Sequence, residues 1–444
     1  MFLNFISGSF KPKQSVIVEQ KAPSAIGYIN KQRLQDTFIR LAKTDTNSDE
    51  KKAEEGIHPS TQGQVVLGKD LEKELQDIGL SEININEHGL VTATFDSNLE
   101  HKAPTVGVFA HLDTSEDAPS KDITPVVHKN YQGGDINLAD GVKIDAEDLK
   151  SHIGEDVITS DGRTLLGADD KAGIAEILEA LRVFKENPEL KHPKIRIAFT
   201  PDEETGSYIQ KFNVKAFGAD LAYTIDGEDP HLIDTETFNA VNGTLKIKGV
   251  NVHSGEGYGK MINSIDVANQ FLAKFPKNQT PATTKGRDGF YYAYEYNGTT
   301  GESSVKFLVR DFTEKGIKKR KAFIEKLTKN IQKKNPKAQV SLELKEPYRN
   351  MLEYLKSAPE IIEYAKEGLK RSGLEPKETY VRGGTDGSNH TIGGLPTLNL
   401  GAGGKNLHSK KEFTSVEKMV KCTENIINTL MVIAEDSIAK AAKK

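Results

Sequence analysis

Three things are scarce in this chain, and each scarcity removes a class of function. Only one cysteine, Cys422, stands among 444 residues, so no intrachain disulfide can form and no cage of thiolates can hold a metal. It falls in a helical, core-like pattern and reads as inert, which suits a reducing compartment. No stretch approaches the roughly 18 apolar residues that a membrane span requires. The opening M-F-L-N-F-I-S-G-S-F has neither a basic n-region nor a long apolar h-region, so a cytoplasmic protein without a membrane partner is expected. Cationic excess is missing too. Sixty Lys and Arg against 64 Asp and Glu leave a net charge of -4, and the basic residues are spread among acids along helices. Nucleic acid is therefore not an expected partner. Internal repeats and low-complexity tracts are also absent from the pattern.

What is present is length and alternation. At 444 residues the chain exceeds one ordinary core, so two domains, or one large domain with an insertion, are expected. Residues 1–28 show no clear period and read as an N-terminal extension of unknown role. Leu34, Phe38, Leu41 and Ala42 then share one helical face, as do Leu67, Leu71, Leu75 and Ile78 before Gly79 as a stop. Strands follow around the Glu87 to Gly89 turn. Asp161-Gly162, inside Val157 to Leu166, is a hairpin signal. From Val241 to Lys345 the order becomes β-α-β-β-α-β, a ferredoxin-like unit inserted into the first domain. The boundaries expected are 29–238 with 350–444 for the outer domain and 239–349 for the insertion. Leu352 to Gly368 reads as one helix, and Thr414 with Glu417 as the capping box of the last one.

The chain is organised around Val106 to Thr114, V-G-V-F-A-H-L-D-T. Its small and apolar run is that of a strand covered on both faces, ending on His111 and Asp113. Ligands of α/β sheets bind beyond the carboxyl ends of strands, so this pair is placed for chemistry. An H-x-D at a strand end is also common without any. Further along, Asp169 and Asp170 stand at a helix entrance, where capping is the usual job of acids. The strand Lys194 to Thr200 runs into P-D-E-E-T-G, the strand Leu221 to Ile225 runs into Asp226, and His408 follows a Gly-rich loop. Glu203 and Glu204, being adjacent, would point to opposite sides of an extended backbone.

Taken together, His111, Asp169, Glu204, Asp226 and His408 form an imidazole and carboxylate set, that of a hydrolytic zinc or manganese centre and not of a structural zinc finger. Five ligands serve two ions if one carboxylate bridges, and Asp169 is the natural bridge. Glu203 fits the free base that moves a proton to the leaving group, and Asp113 can fix the tautomer of His111 through its second ring nitrogen.

The segments G-V-F-A-H-L-D-T, T-L-L-G-A-D-D-K-A-G, A-F-T-P-D-E-E-T-G, A-Y-T-I-D-G, N-V-H-S-G, R-D-F, R-G-G-T-D-G and N-L-H-S-K-K-E-F resemble the co-catalytic zinc metallopeptidases of the M20 family, from about Lys31 to the C-terminus. The resemblance implies an α/β fold, a zinc-peptidase-like mixed sheet flanked by helices, with the ferredoxin-like α+β insertion acting as a lid. It implies a cytoplasmic homodimer that removes the N-terminal residue from tripeptides with two zinc ions per subunit, Mn2+ or Co2+ being possible replacements. His111 and Asp226 would hold the first ion with bridging Asp169, and Glu204 and His408 the second.

His253 corresponds to a lid histidine able to donate to an oxyanion, while a surface histidine is the plain alternative. Arg310 and Arg382 match positions that bind a peptide carboxylate, to which the planar guanidinium is suited. Arg310 can equally pair with Asp311. Glu228 and Asp229 depart from the family's glycines and would either attract the substrate's amine or form a solvated turn. Two other functions compete: an amidohydrolase of the same family acting on N-acyl amino acids, and a non-catalytic peptide-binding protein.

Overall fold

A computed structural model describes residues 24–443; residues 1–23 of the expected N-terminal extension lie outside the described residues. The remainder of that extension is a short 3-10 turn, Ala25–Tyr28, tied down where the Ser24 hydroxyl donates to Glu424 of the last helix.

Eight strands form the main sheet, in the order Ser81–Ile85, Val91–Phe95, Ile195–Thr200, Val106–His111, Leu221–Gly227, Thr397–Gly401, Leu232–Thr237, Lys377–Val381. The middle four run parallel. Every residue of Val106–His111 is buried, as an apolar run flanked by helices on both faces demands. Against the sheet lies Ala168–Glu186, a helix buried on nearly all sides, and beside it Val416–Ala441. Helix Gln62–Ile78 stops at Gly79, whose φ of 94° favours glycine.

A second sheet has the order Phe290–Gly298, Glu302–Asp311, Asn239–Lys248, Gln339–Lys345, antiparallel throughout, with helices Ser264–Leu272 and Glu314–Lys334 packed on it. This is the ferredoxin-like arrangement expected from the element order. It has its own core, which includes Val241, Leu245, Phe271, Phe307 and Ile324. Phe238 alone separates the last strand residue of the main sheet, Thr237, from Asn239, and its ring packs with Phe290, Phe312 and Tyr348.

Three local expectations are corrected. Asp161-Gly162 does not turn a hairpin: Val157–Thr159 pairs with Val126–His128 and Phe413–Ser415 instead. The turn is held by side chains, with Ser160 Oγ accepting from Gly162 N, so no ladder is needed across it. The helix over 352–368 is broken into Leu352–Leu355 and Glu360–Arg371, because Pro359 has no N–H to continue the first segment. The cap of the final helix is Ser415, which accepts from Lys418 N at 3.2 Å. Thr414 lies in a strand, and Glu417 accepts from Asp156 N.

Candidate active site

Parallel strands deliver their ends to one place. The carboxyl ends of Val106–His111, Ile195–Thr200, Leu221–Gly227 and Thr397–Gly401 lie on the same side of the sheet, and each chain segment leaving them carries a candidate residue. His111 Nε2 is 2.7 Å from Asp169 Oδ1 and 3.5 Å from Asp226 Oδ1. His408 Nε2 is 3.3 Å from Asp169 Oδ2 and 3.1 Å from Glu204 Oε1. Two triads result, His111, Asp169 and Asp226, and Asp169, Glu204 and His408, each with its donor atoms within 4.8 Å of one another. Asp169 belongs to both.

Local backbone explains how Asp169 and Asp170 divide their work. Asp170 Oδ1 accepts from Gly173 N at 3.2 Å and its Oδ2 from His111 N at 3.1 Å, so Asp170 is the cap and Asp169 is left to face the site. Gly173 is required here. A Cβ on it would fall 2.1 Å from the Ile225 carbonyl oxygen and 2.4 Å from Asp170 Oδ1.

Glu203 and Glu204 are not on extended backbone; they follow Asp202, at φ 54°, in a turn. Both of their backbone N–H groups donate to the Asp113 carboxylate, at 3.0 and 3.1 Å. Asp113 meets His111 as well: its carbonyl oxygen is 3.1 Å and its Oδ1 3.3 Å from Nδ1, which leaves Nε2 for the site.

Charge in this pocket is crowded. Burial works against the His111 cation, yet Asp113, Asp169 and Asp226 around it hold its pKa well above the usual range, and the carboxylates of Asp169 and Glu204 beside it push His408 up to about 11. Burial raises Asp169 too, but both histidines hold it below the usual carboxylate range. Burial, with the charge of Asp169, raises Asp226 and Glu204 to about 7. Such a set binds protons where it could bind cations. Divalent ions would replace the histidine protons and satisfy the carboxylates at once. Glu204 Oε1 supports the fit, being buried without a hydrogen bond among the described residues although His408 lies near.

Other candidates are placed less uniformly. Glu203, Arg310 and Arg382 line a cavity of about 790 Å³ together with Asp169, Glu204, Asp226 and His408. Arg310 is buried and pairs with no carboxylate among the described residues; Asp311 is taken by Arg320 at 2.9 Å, so the expected alternative pairing does not form. The Arg382 guanidinium, in contrast, is engaged by the carbonyls of Gly286 and Asp288 and by Thr284 Oγ1, and so holds a loop of the small unit. His253 is not brought to the cavity. It is exposed, and its Nδ1 accepts from Gly255 N. Glu228 and Asp229 both pair with Lys405, at 2.9 and 2.7 Å, so they are neither free nor merely solvated.

The sequence profile of peptidase family M20/M25/M40 matches residues 155–431. The chain belongs to that family. Peptidase T of Caldanaerobacter subterraneus subsp. tengcongensis is 42% identical over 397 residues, 88% of this chain and 96% of the relative. Peptidase T of Clostridium perfringens is 41% identical over 406 residues, 91% and 99% of the two chains. The crystal structure of aminopeptidase PepT from Bacillus cereus shares the fold, with a TM-score of 0.72 at 22% identity, covering 92% of this chain and 100% of that one.

In this M20-family peptidase three further acids shape the site and were not singled out from the sequence. Glu412 accepts from the N–H groups of Leu166, Gly167 and Asp169, fixing the segment that presents Asp169. Asp202 accepts from Ser60 N, Ser60 Oγ and Gln64 Nε2, faces His58 Nδ1 at 2.7 Å, and donates its own N–H to Gln64. Asp386, in R-G-G-T-D-G, accepts from Thr200 Oγ1. All three lie inside motifs already conspicuous for acids; what separated them from the ligands was direction, which a motif does not encode.

Proposed function

We propose that this peptidase removes the N-terminal residue from tripeptides, using two divalent metal ions, zinc or alternatively Mn2+ or Co2+, held by His111, Asp169, Asp226, Glu204 and His408. The sharing of Asp169 between two histidine and carboxylate triads carries the reading. When bound, such a pair of ions lowers the pKa of water toward neutrality and polarises the scissile carbonyl.

The remaining work falls to the chain itself. Glu203 takes the proton of the attacking water and hands it to the departing amine. Burial raises its carboxyl well above the ordinary value, and divalent ions held beside it would favour the ionised form that takes the proton. Asp113 keeps Glu203 in place through the backbone and sets the His111 tautomer. Arg310, buried and without a carboxylate partner among the described residues, binds the carboxylate at the far end of the peptide. Residues 239–349 act as lid and dimer contact, and His253 enters the reaction when that unit moves toward the sheet. The catalytic unit is 29–238 with 350–444. The tripeptide length is supported by relatives named Peptidase T.

The test is a release assay on Leu-Gly-Gly, Leu-Gly, Leu-Gly-Gly-Gly and N-acetyl-leucine, with the wild-type protein and Glu203→Gln. Preferred cleavage of the tripeptide, lost in the variant, is expected. Preferred release of acetate would assign an amidohydrolase instead, and tripeptide binding without cleavage by metal-loaded wild type a peptide-binding protein.

A further inference from the structure

Among the described residues, every acid lining the cavity but two meets a cation or a side-chain amide. Asp169, Asp226 and Glu204 lie against histidines, Glu228 pairs with Lys405, and Asp234 accepts from Asn399 Nδ2 at 2.9 Å. Glu203 and Asp386 remain. Glu203 has a role in the reaction proposed above; Asp386 has none.

Asp386 is 8% exposed, and the Thr200 hydroxyl, 2.9 Å from Oδ2, is its one hydrogen-bonding side chain among the described residues. No Lys, Arg or His pairs with it among those residues. A carboxylate so buried, with one neutral donor, is left short of compensation. It opens on the cavity, where a bound molecule can supply the missing cation.

Its place in the fold says which cation. Thr200 ends the strand next to the one ending in His111, with which it is in register, so Asp386 sits at the reacting end of the sheet. Asp386 and Glu203 line the same cavity, Glu203 in the turn that follows Thr200. In a peptide the α-amine and the first carbonyl carbon are separated by one Cα, about 2.5 Å across. A group that holds the amine must therefore lie beside the base that serves that carbonyl.

We infer that Asp386 binds the α-ammonium group of the substrate's first residue, while Arg310 takes the carboxylate at the other end. The inference rests on the peptidase reading and deepens it: the substrates are short zwitterionic peptides with a free amine, and acylated or amine-free chains are disfavoured by one residue that is neither a metal ligand nor the base.

The experiment compares Leu-Gly-Gly with 4-methylpentanoyl-Gly-Gly, identical except that hydrogen replaces the amine, on wild type, Asp386→Asn and Asp386→Glu. Cleavage is followed by chromatography, and binding by calorimetry in the Glu203→Gln background, which keeps both peptides intact. Wild type is expected to prefer the amine-bearing peptide by at least about 30-fold in kcat/KM, the scale of a buried charge pair. Asp386→Asn should lose that preference, Leu-Gly-Gly falling at least about 30-fold further than the amine-free peptide, and its Kd for Leu-Gly-Gly, read in the Glu203→Gln background, should rise by a similar factor. Asp386→Glu, which retains the charge, should recover part of the preference. Equal losses on both peptides, or an unchanged Kd for Leu-Gly-Gly, would overturn the assignment. If wild type cleaves neither peptide, the peptidase reading fails while the calorimetric comparison still decides whether Asp386 reads an amine.

Discussion

Asp113, two residues past the strand that ends at His111, accepts the backbone N–H of Glu203, 90 residues later in the chain, at 3.0 Å. The same carboxylate takes Glu204 N, so one side chain sets where the proposed base and a proposed ligand begin. Replacing Asp113 by Ala leaves two partly buried N–H groups without an acceptor. A loss of about 2–4 kcal/mol in denaturant unfolding is expected, with kcat falling roughly 10- to 100-fold and KM changing little. Unchanged kcat in a folded variant would show that the Glu203 turn holds its shape unaided.

The opposite side of the turn depends on Gln64. Its amide both donates to Asp202 Oδ1 at 2.7 Å and accepts Asp202 N at 3.0 Å. Gln64→Ala should cost about 1–3 kcal/mol, the price of an orphaned buried donor, and should lower kcat more than it raises KM, because the residue acts on the base through the backbone and meets no substrate. A change in KM alone would contradict this.

The proposed sharing of Asp169 between two ions predicts an asymmetry among ligand variants. His408→Ala should keep about one ion per chain in metal analysis, His111→Ala likewise, whereas Asp169→Ala should keep none tightly, since each triad then loses a member. Chelation should abolish peptide cleavage and lower the unfolding temperature, with zinc restoring both. At about 100 times its Kd, one bound ion adds about 2.7 kcal/mol to stability. Equal metal contents in all three variants would separate the ligation of the two ions from Asp169.

Asp234 gives a pH dependence away from the ligands. Burial, opposed by the Asn399 hydrogen bond and reinforced by the Glu228 charge, raises its carboxyl to about 6 from an ordinary 3.8. A raised acid favours the folded state when protonated. Its contribution is therefore intact below pH 4, is lost as pH rises through about 6, and is a penalty of about 3 kcal/mol above that. Asp234→Asn, which can still accept from Asn399, should be more stable than wild type at pH 8 by an amount approaching this, and the difference should shrink toward pH 4.5 in urea titrations. A constant difference across that range would show that Asp234 does not titrate with folding.

Much of this was legible in the sequence because it depends on local order. The apolar run ending in His111, the strand ending before Asp226 and the β-α-β-β-α-β order of the insertion each follow from periodicity over a few residues, and parallel strands then gather the ends without further instruction. Where local signals competed with distant partners they failed. Thr414 has the capping-box spacing but lies in a strand paired with Ile158, and Ser415 takes the cap. Glu203 and Glu204 would alternate on a strand, yet the Asp113 carboxylate draws both N–H groups into a turn.

By itself the sequence determined which side chains stand at strand ends, and hence that imidazoles and carboxylates meet without thiolate. Only the tertiary structure decided their directions: Asp169 inward and Asp170 onto the helix, Arg382 engaged, Lys405 closing off Glu228 and Asp229, and, among the described residues, Arg310 free of a carboxylate and Asp386 facing the cavity without a counter-ion. The physical reason is range. Strand and helix periods are set by neighbours a few residues away, whereas the partner that satisfies or leaves bare a buried charge arrives from a distant part of the chain.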